Sequence, residues 1–381
     1  MAVSRRSDYK WPKQLNLISW IPVGVDIAHS WGDLLQEDTG MRLHIAGEYD
    51  TVDRYRWLGR MKLFEMTSSG NFETGQMLMA DRKYAVRDGG PFKLRTVWTA
   101  SKGNSGFFLR GDTKIRTPRD IKPGTKIARL ATVQSERYDG LLAWAGVNPE
   151  DVVWVDVKDI KENAQVIVDG KADLAFSYPT SLVVIEAEKN PHGLSWLDLN
   201  AEADPEGAKR FRKIDPQATF GPFYSGVESG TRVAGGGGTW CITGINFEQT
   251  MADVDPQLVY NLAKWFDENY ERFKDKHPFN RFRNRGTLVE GLKNTFLPCH
   301  EGLIVYLKEI GVWTKAHDIR QKENENLVDA YAEGYLECMR QADEKKVWVA
   351  RENDEWINFW NAYRKANLKE LLPFDGLPKV K

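Results

Sequence analysis

The chain has 381 residues, of which 41% are hydrophobic and 12% aromatic, and this length suits two packed cores. Its 53 Lys and Arg residues are scattered and are balanced by 54 Asp and Glu residues, which excludes a nucleic-acid partner or a charged membrane surface. A small, specific ligand is the better prediction, and the 14 Trp residues suit a pocket that grips a flat or apolar molecule.

The three cysteines, Cys241, Cys299 and Cys338, are too few and too far apart for a disulfide framework or a CxxC metal site. We expect no metal and no other cofactor. Apolar runs fall short of the roughly 20 residues of a membrane span, so we expect a chain that does not span a membrane itself. The N-terminus lacks the pattern of a secretion leader. We expect a periplasmic protein if a leader has been removed, and a cytoplasmic one if this N-terminus is native.

The first third of the chain repeats a short apolar strand followed by an amphipathic helix. The apolar pattern predicts strands at 15–21, 42–48 and 62–70, each leading into a helix, with Asp26 as the N-cap of the first helix. This alternation predicts a parallel sheet with right-handed crossovers. Two further apolar runs, at 94–100 and 105–112, predict strands that leave this first lobe.

The same alternation then begins again and predicts a second α/β lobe. Strands are predicted at 125–131, 151–157 and 172–178, each followed by a helix. An irregular stretch precedes one more strand at 239–247, and the chain from residue 256 onward has helical periodicity. The second lobe is therefore enclosed between two parts of the first.

We predict an α/β, two-lobed fold with a ligand cleft between the lobes and a helical C-terminal extension. The predicted parts are 13–112 for the first part of lobe 1, 113–238 for lobe 2, 239–313 for the return to lobe 1, and 314–381 for the extension. The glycine run 235–238 lies before the returning strand, where we predict a hinge. An ordinary flexible loop is the alternative.

Small hydroxyl, acidic and aromatic residues follow the predicted strands, at the carboxyl ends where α/β sheets bind ligands. The positive N-termini of the following helices favour an anion, so a carboxylate ligand suits these ends. The alternative for any single Ser, Thr or Asp is a helix cap. The predicted ligand-binding residues are Trp20, Gly24, Val25, Asp26, Tyr49, Asp50, Thr51, Ser68, Ser69, Thr132, Gln134, Ser135, Ser177, Tyr178, Thr180 and Trp240.

Three of these residues, Trp20, Tyr178 and Trp240, offer flat apolar walls for a ligand. Burial in a lobe core is the alternative for each of them. Arg54 and Arg137, one turn inside two predicted helices, offer a bidentate contact to a carboxylate. A solvated position on the helix surface is the alternative for both arginines.

Motifs of the common enzyme classes, GxxxxGK[ST], GxGxxG, HExxH and GxSxG, are absent from the sequence. We therefore predict no catalytic residue, with Cys241 and Asp26 as outside candidates if the chain is an enzyme. Cys299 and His300 form a possible thiol and base, but adjacent residues usually point apart, and a buried structural role is the alternative.

Four segments, in order and spacing, resemble one known family: WGDLLQEDTGMRLHIAGEYDTVDRYRWL, TPRDIKPGTKIARL, AQVIVDGKADLAFSYPTS and LPCHEGLIVYLKEIGVW. Over about residues 13–313 the chain resembles a TAXI-type solute-binding protein of the TRAP transporters, within the type II periplasmic-binding-protein fold. The resemblance implies a non-catalytic protein that captures a small-molecule carboxylate and passes it to a TRAP membrane subunit.

Two turns, SWIPVGVDI and ATVQSER, depart from the glycine-rich turns of that family. These departures imply a bulkier pocket and an aromatic or otherwise apolar carboxylate as the ligand. The alternatives are a cytoplasmic enzyme that acts on a small organic acid with the same two-lobed fold, and an intracellular ligand sensor that contacts a partner through its C-terminal helices.

Overall fold

The computed structural model describes residues 9–21, 23–130, 135–179, 181–216, 218–223, 239–374 and 376–380. The chain forms two compact units. Unit 1 combines Met1–Ser101 with Ile245–Lys381, and unit 2 is Lys102–Gly244. Within the ranges just given, none of the helices has both the length and the apolar character that crossing a bilayer requires.

The described strands and helices follow one another in alternation through much of the chain. The strands are β1 Gln14–Ser19, β2 Arg42–Gly47, β3 Met66–Gly70, β4 Leu94–Arg110, β5 Lys126–Leu130, β6 Val153–Val157, β7 Leu174–Ser177, β8 Leu194–Trp196, β9 Thr219–Pro222 and β10 Trp240–Met251. The helices are α1 Val23–Thr39, α2 Thr51–Tyr55, α3 Asn71–Leu78, α4 Ser135–Ala145, α5 Ile160–Val168, α6 Leu182–Ala187, α7 Pro205–Ile214, α8 Pro256–Glu268, α9 Tyr270–Phe273, α10 Arg285–Leu292, α11 Glu301–Glu309, α12 Lys315–Glu344 and α13 Asp354–Asn367.

The sheet of unit 1 has the order β2-β1-β3-β10. Strand β1 is parallel to both β2 and β3, whereas β10 is antiparallel to β3, with Glu248 opposite Ser68. The chain passes from β1 to β2 on one side and then to β3 on the other. In such sheets, ligands bind at the carboxyl ends of the two strands that flank this change of direction. We therefore expect any ligand of unit 1 to bind at the carboxyl ends of β1 and β3.

The sheet of unit 2 repeats this order with its own strands, as β6-β5-β7-β4. Strand β5 is parallel to β6 and β7, and β4 is antiparallel to β7, with Phe107 opposite Phe176. Strands β4 and β10 each contain residues of both units. The predicted α/β class is confirmed, and the runs 94–100 and 105–112 prove to belong to one strand, except that β4 ends at Arg110.

Several helices begin where the sequence supplies an acceptor for the free N–H groups of the first turn. Asp159, Asp204 and Asp255 are the N-caps of α5, α7 and α8, and each accepts a hydrogen bond from a backbone N–H of that turn. Proline follows at the first position of α7 and α8, where its fixed φ suits a helix start. Helix α1 starts at Val23, so the prediction of Asp26 as its N-cap was wrong.

The C-terminal extension is helical, as its periodicity predicts, and it packs into unit 1. Trp356 and Trp360 of α13 are at most 1% exposed and share a core with Tyr55 and Tyr84. The indole N–H of Trp356 donates to the carbonyl of Ala85 at 3.0 Å. The extension therefore completes a core of unit 1.

We predict that Trp360→Ala lowers the free energy of unfolding by about 3–5 kcal/mol, because it removes a large buried side chain and leaves a cavity. The indole of Trp360 packs edge-on against Tyr335, with 4.9 Å between ring centroids, and donates to the carbonyl of Met79 at 2.7 Å. Trp348→Ala is the matched control, because Trp348 is 68% exposed. Urea unfolding of both variants checks the prediction, and equal losses would contradict it.

Candidate functional site

The end of β1 brings a buried hydroxyl against the first turn of α1. Ser19 is 0% exposed, and its Oγ has no hydrogen-bond partner among the residues that the structure describes. A Cβ placed on Gly24 would lie 2.4 Å from this Oγ and 2.6 Å from the ring of Trp20, so only glycine fits there. The N–H of Val25 donates to the carbonyl of Trp20 at 3.2 Å and closes the turn. Trp20 itself is half-buried.

This arrangement has the chemistry of an anion site. A helix N-terminus carries a partial positive charge and free N–H donors, and α1 is long enough, at 17 residues, for that effect. An unpaired buried hydroxyl costs free energy, which a bound acceptor would recover. The Ser19 hydroxyl beside Gly24 can therefore donate to an oxygen of a carboxylate or a similar group.

The end of β2 offers less free hydrogen-bonding capacity. Asp50 accepts a hydrogen bond from the N–H of Val52 at 2.8 Å and is the N-cap of α2. The hydroxyl of Tyr84 donates to Thr51 Oγ1 within the core. Tyr49 is 71% exposed. Asp50 thus follows the capping alternative, and the Tyr49 ring is open to solvent in unit 1.

The hydroxyls at the end of β3 have partners inside the protein. Ser68 donates to Glu248 at 2.7 Å, and the other carboxylate oxygen of Glu248 accepts from Arg283, also at 2.7 Å. Ser69 donates to Glu73 at 2.5 Å. Both hydroxyls already donate to carboxylates, so toward a ligand they can act only as acceptors. Thr67, by contrast, is 0% exposed with an unpaired Oγ1 in the described part of the chain.

Arg54 and Arg137 are buried, and each forms an ion pair within its own unit. The Arg54 side chain is 2% exposed, donates to the carbonyl of Ser68 at 3.1 Å and pairs with Glu73 at 3.2 Å. Arg137 pairs at 2.5 Å with Asp215, whose side chain is 0% exposed. The solvated alternative was therefore wrong for both arginines, because each is buried and neutralises a carboxylate of its own unit.

Unit 2 presents a second set of predicted residues at strand ends. Ser177 ends β7 and is 6% exposed, whereas the adjacent Tyr178 is 53% exposed. Ser135 is the exposed first residue of α4. The N–H of Trp240 donates to Asp198 at 2.7 Å, and its side chain is half-buried. Four predictions lie outside the described residues, namely Thr132, Gln134, Thr180 and the hinge at 235–238.

The two outside catalytic candidates differ in their surroundings. Cys241 is 0% exposed, and its thiol contacts Asn104 Oδ1 at 3.2 Å. Burial raises the pKa of the Cys241 thiol, which disfavours the nucleophilic thiolate. Asp26 is an exposed residue in the first turn of α1. In the described residues, no group of three or more His, Cys, Asp or Glu side chains is arranged to hold a metal ion.

The adjacent pair Cys299 and His300 has a structural role. His300 is the N-cap of α11, and its Nδ1 accepts a hydrogen bond from the N–H of Gly302 at 3.3 Å. Burial, together with the nearby charge of Arg95, lowers the pKa of His300 to about 4. Burial also raises the pKa of the Cys299 thiol. This pair therefore follows the structural alternative.

The profile of the NMT1-like family matches residues 19–311 of the chain. The chain belongs to the NMT1-like family. The match begins at Ser19, the last residue of β1, and includes β2 to β10 and α11, whereas the long helices α12 and α13 lie beyond it. A comparison with curated proteins gives no match.

Solved structures similar to this NMT1-like chain include three proteins of low sequence identity. The periplasmic aliphatic sulphonate binding protein SsuA from Escherichia coli is 16% identical, with a TM-score of 0.36 over 54% of this chain and 73% of that chain. The periplasmic VFT2 domain of BvgS from Bordetella pertussis is 13% identical, with a TM-score of 0.36 over 66% of this chain and 87% of that one. A lipoprotein of the YaeC family from Enterococcus faecalis is 13% identical, with a TM-score of 0.34 over 53% of this chain and 91% of that one.

The fold class predicted from the sequence, α/β of the type II periplasmic-binding-protein kind, is confirmed for this NMT1-like chain. The two compact units have matching strand orders, β2-β1-β3-β10 in unit 1 and β6-β5-β7-β4 in unit 2. In each unit the fourth strand is antiparallel to its neighbour. The TAXI and TRAP assignments are finer than this family match.

The prediction missed Ser19, whose buried hydroxyl has no partner among the described residues. A signal was present in the sequence, since Ser19 ends the apolar run LNLIS and a serine in a buried strand needs a partner. Its importance depends on Gly24, five residues later, whose missing side chain makes room for the hydroxyl.

We predict that His300 makes the stability of this NMT1-like chain depend on pH. The unfolded histidine has a pKa of about 6.5. The unfolded state therefore binds a proton as pH falls through 6.5, whereas the folded state does so only near the lowered value of about 4. The stability contributed by neutral His300 is present above pH 6.5 and is lost as pH falls toward 4, by roughly 2–3 kcal/mol.

His300→Asn is the comparison variant, because Asn keeps an N-cap acceptor and does not titrate in this range. Urea unfolding at pH 7 and pH 4.5 should show a larger loss for the native chain than for the variant. Equal losses in the two proteins would contradict the burial-driven shift.

Proposed function

We propose that this NMT1-like chain is a solute-binding protein that captures a small organic carboxylate, aromatic or apolar, for delivery to a TRAP-type transporter. The observation that carries the proposal is the unpaired, buried Ser19 hydroxyl against the first turn of α1. It lies at the carboxyl end of β1, beside the point where the strand order of unit 1 changes direction.

The charge preference follows from the donors at this place. The α1 N-terminus and the Ser19 hydroxyl both favour an anionic oxygen. No cation is needed to bind the anion, which agrees with the internal pairing of Arg54 by Glu73. A monocarboxylate with a single delocalised charge suits such a neutral set of donors.

The preference for an aromatic or apolar body rests on the rings near the strand ends. Trp20 is half-buried in unit 1 beside Gly24, and Tyr49 is 71% exposed. In unit 2, Tyr178 is 53% exposed directly after β7. Rings held at a backbone turn offer a large contact area at a low cost in conformational entropy.

Delivery to a transporter places the chain outside the cytoplasm, where solute is collected. The alternative of a cysteine-dependent enzyme is weakened, because Cys241, Cys299 and Cys338 are buried and burial raises the pKa of each thiol.

Addition of the purified chain to vesicles that contain TRAP membrane subunits of the same organism should drive uptake of the acid. Equal uptake with and without the chain would contradict its proposed role in transport.

We predict that Ser19→Ala weakens binding of the best acid by about 10- to 100-fold, the loss expected for a hydrogen bond to a charged group. Because the buried Ser19 hydroxyl has no partner in the described residues, its removal should leave the unliganded protein at least as stable as before. A panel of benzoate, phenylacetate, hexanoate, hexanesulfonate and glutamate, followed by calorimetry and thermal unfolding, measures both quantities.

Ser68→Ala is the matched control, because its hydroxyl already donates to Glu248. This variant should lower stability and keep affinity within about twofold, the opposite pattern to Ser19→Ala. An acid held 100-fold above its dissociation constant should add about 2.7 kcal/mol to the free energy of unfolding. Stabilisation by glutamate alone would overturn the aromatic or apolar preference, and equal binding by the native chain and Ser19→Ala would overturn the site.

A further inference from the structure

The segment 293–299 lies within the family match, yet its backbone is hydrogen-bonded by the extension beyond that match. In α12, the side chains of Gln321 and Asn324 act as the partners, and Gln321 both donates to and accepts from the backbone of Cys299. The bonds are Arg320 Nη1 to Lys293 O, Phe374 N to Asn294 O, Asn324 Nδ2 to Thr295 O and to Leu297 O, and Gln321 Nε2 to Cys299 O. The extension thereby hydrogen-bonds the backbone of five of the seven residues in this segment.

Thr295 carries this constraint toward the sheet of unit 1. Thr295 is 1% exposed, and its carbonyl oxygen accepts a hydrogen bond from the side chain of Asn324 at 3.0 Å. Its hydroxyl donates to Asn71 Oδ1 at 3.1 Å and accepts from the N–H of Leu297, also at 3.1 Å. A single residue therefore joins α12 to the side chain of Asn71.

Asn71 is the first residue of α3, directly after β3. The N-cap of α3 is Gly70, which has no side chain to bond the first turn. A Cβ on Gly70 would lie 2.6 Å from Asn246 Oδ1, so the close approach of Asn246 excludes the usual capping residues. The bond from Thr295 to Asn71 is thus an anchor for a helix start that lacks a side-chain cap.

We propose that Thr295 is a positioning residue that holds the first turn of α3 at the carboxyl end of β3, and that Asn324 of the extension holds Thr295 in place. This inference rests on the proposed function, because it gives the extension a role in shaping the strand ends where the ligand is bound. Binding groups must be held within about 0.5 Å of their productive positions, so a loosened α3 start weakens binding without any lost ligand contact.

The variants are made in the full chain. Together they distinguish a loss of position at the start of α3 from a general loss of stability. Thr295→Val removes the hydroxyl and keeps the side-chain shape, whereas Thr295→Ser keeps the hydroxyl. Thr250→Val is the matched control, because Thr250 is 0% exposed and its hydroxyl donates to the carbonyl of Glu65 at 2.6 Å, away from Asn71. Asn71→Ala removes the acceptor and is combined with Thr295→Val.

The first measurement is amide hydrogen exchange of the ligand-free protein in peptides that cover residues 71–80. Thr295→Val should speed exchange there by about tenfold, as expected for loss of a local anchor. Thr295→Ser and Thr250→Val should leave these rates unchanged. In the Asn71→Ala background, Thr295→Val should have no further effect. Unchanged rates in Thr295→Val, or an effect that persists without Asn71, would overturn the inference.

The second measurement is the affinity for benzoate, compared with the melting temperature of each variant. Thr295→Val should weaken benzoate binding by about tenfold, whereas Thr250→Val should lower the melting temperature to a similar extent and keep the affinity. Unchanged affinity in Thr295→Val would overturn the role in binding. If the native chain binds no acid, the proposed function fails, and hydrogen exchange still decides whether Thr295 positions α3.

Discussion

The ion pair between Glu248 and Arg283 is the interaction on which unit 1 depends. Both side chains are 1% exposed, and the pairing distance is 2.7 Å. Glu248 lies on β10 and also accepts from Ser68 of β3, while the guanidinium of Arg283 lies 5.1 Å from the ring centroid of Trp31 in α1. Loss of one partner would leave a buried, uncompensated charge, which typically costs 3–5 kcal/mol. The pair therefore ties the returning strand to the first strands and their helix.

The strands and the fold class could be predicted from the sequence because they depend on local pattern. Apolar runs such as LNLIS mark β1, and Asp-Pro pairs mark the starts of α7 and α8. The candidate site was predictable only in part. The end of β1 was identified through Trp20 and Gly24, but the partners that decide which hydroxyls are free lie far away in the chain.

Long-range pairing explains the errors in particular residues. Ser68 meets Glu248 across 180 positions, and Arg137 meets Asp215 across 78 positions. No local pattern carries such information, because a serine or an arginine at a helix start has the same neighbours whether it is paired or exposed. The core that contains Trp356 and Trp360 could not be predicted for the same reason, since their indole groups donate to the distant carbonyls of Ala85 and Met79.

The division of unit 1 into two stretches of chain has a consequence for biosynthesis. Unit 2 is one continuous stretch, Lys102–Gly244, so all its residues are synthesised before the second half of unit 1. Domains generally fold as they emerge. In unit 1, β1 pairs with β2 and with β3, but the outer edge of β3 has no partner until β10 is made, and the core stays incomplete until Trp360 is synthesised. The nascent chain thus leaves one edge of β3 open until β10 is made, and it leaves the core around Trp360 open until α13 is made, so unit 1 completes its folding after unit 2 has been synthesised.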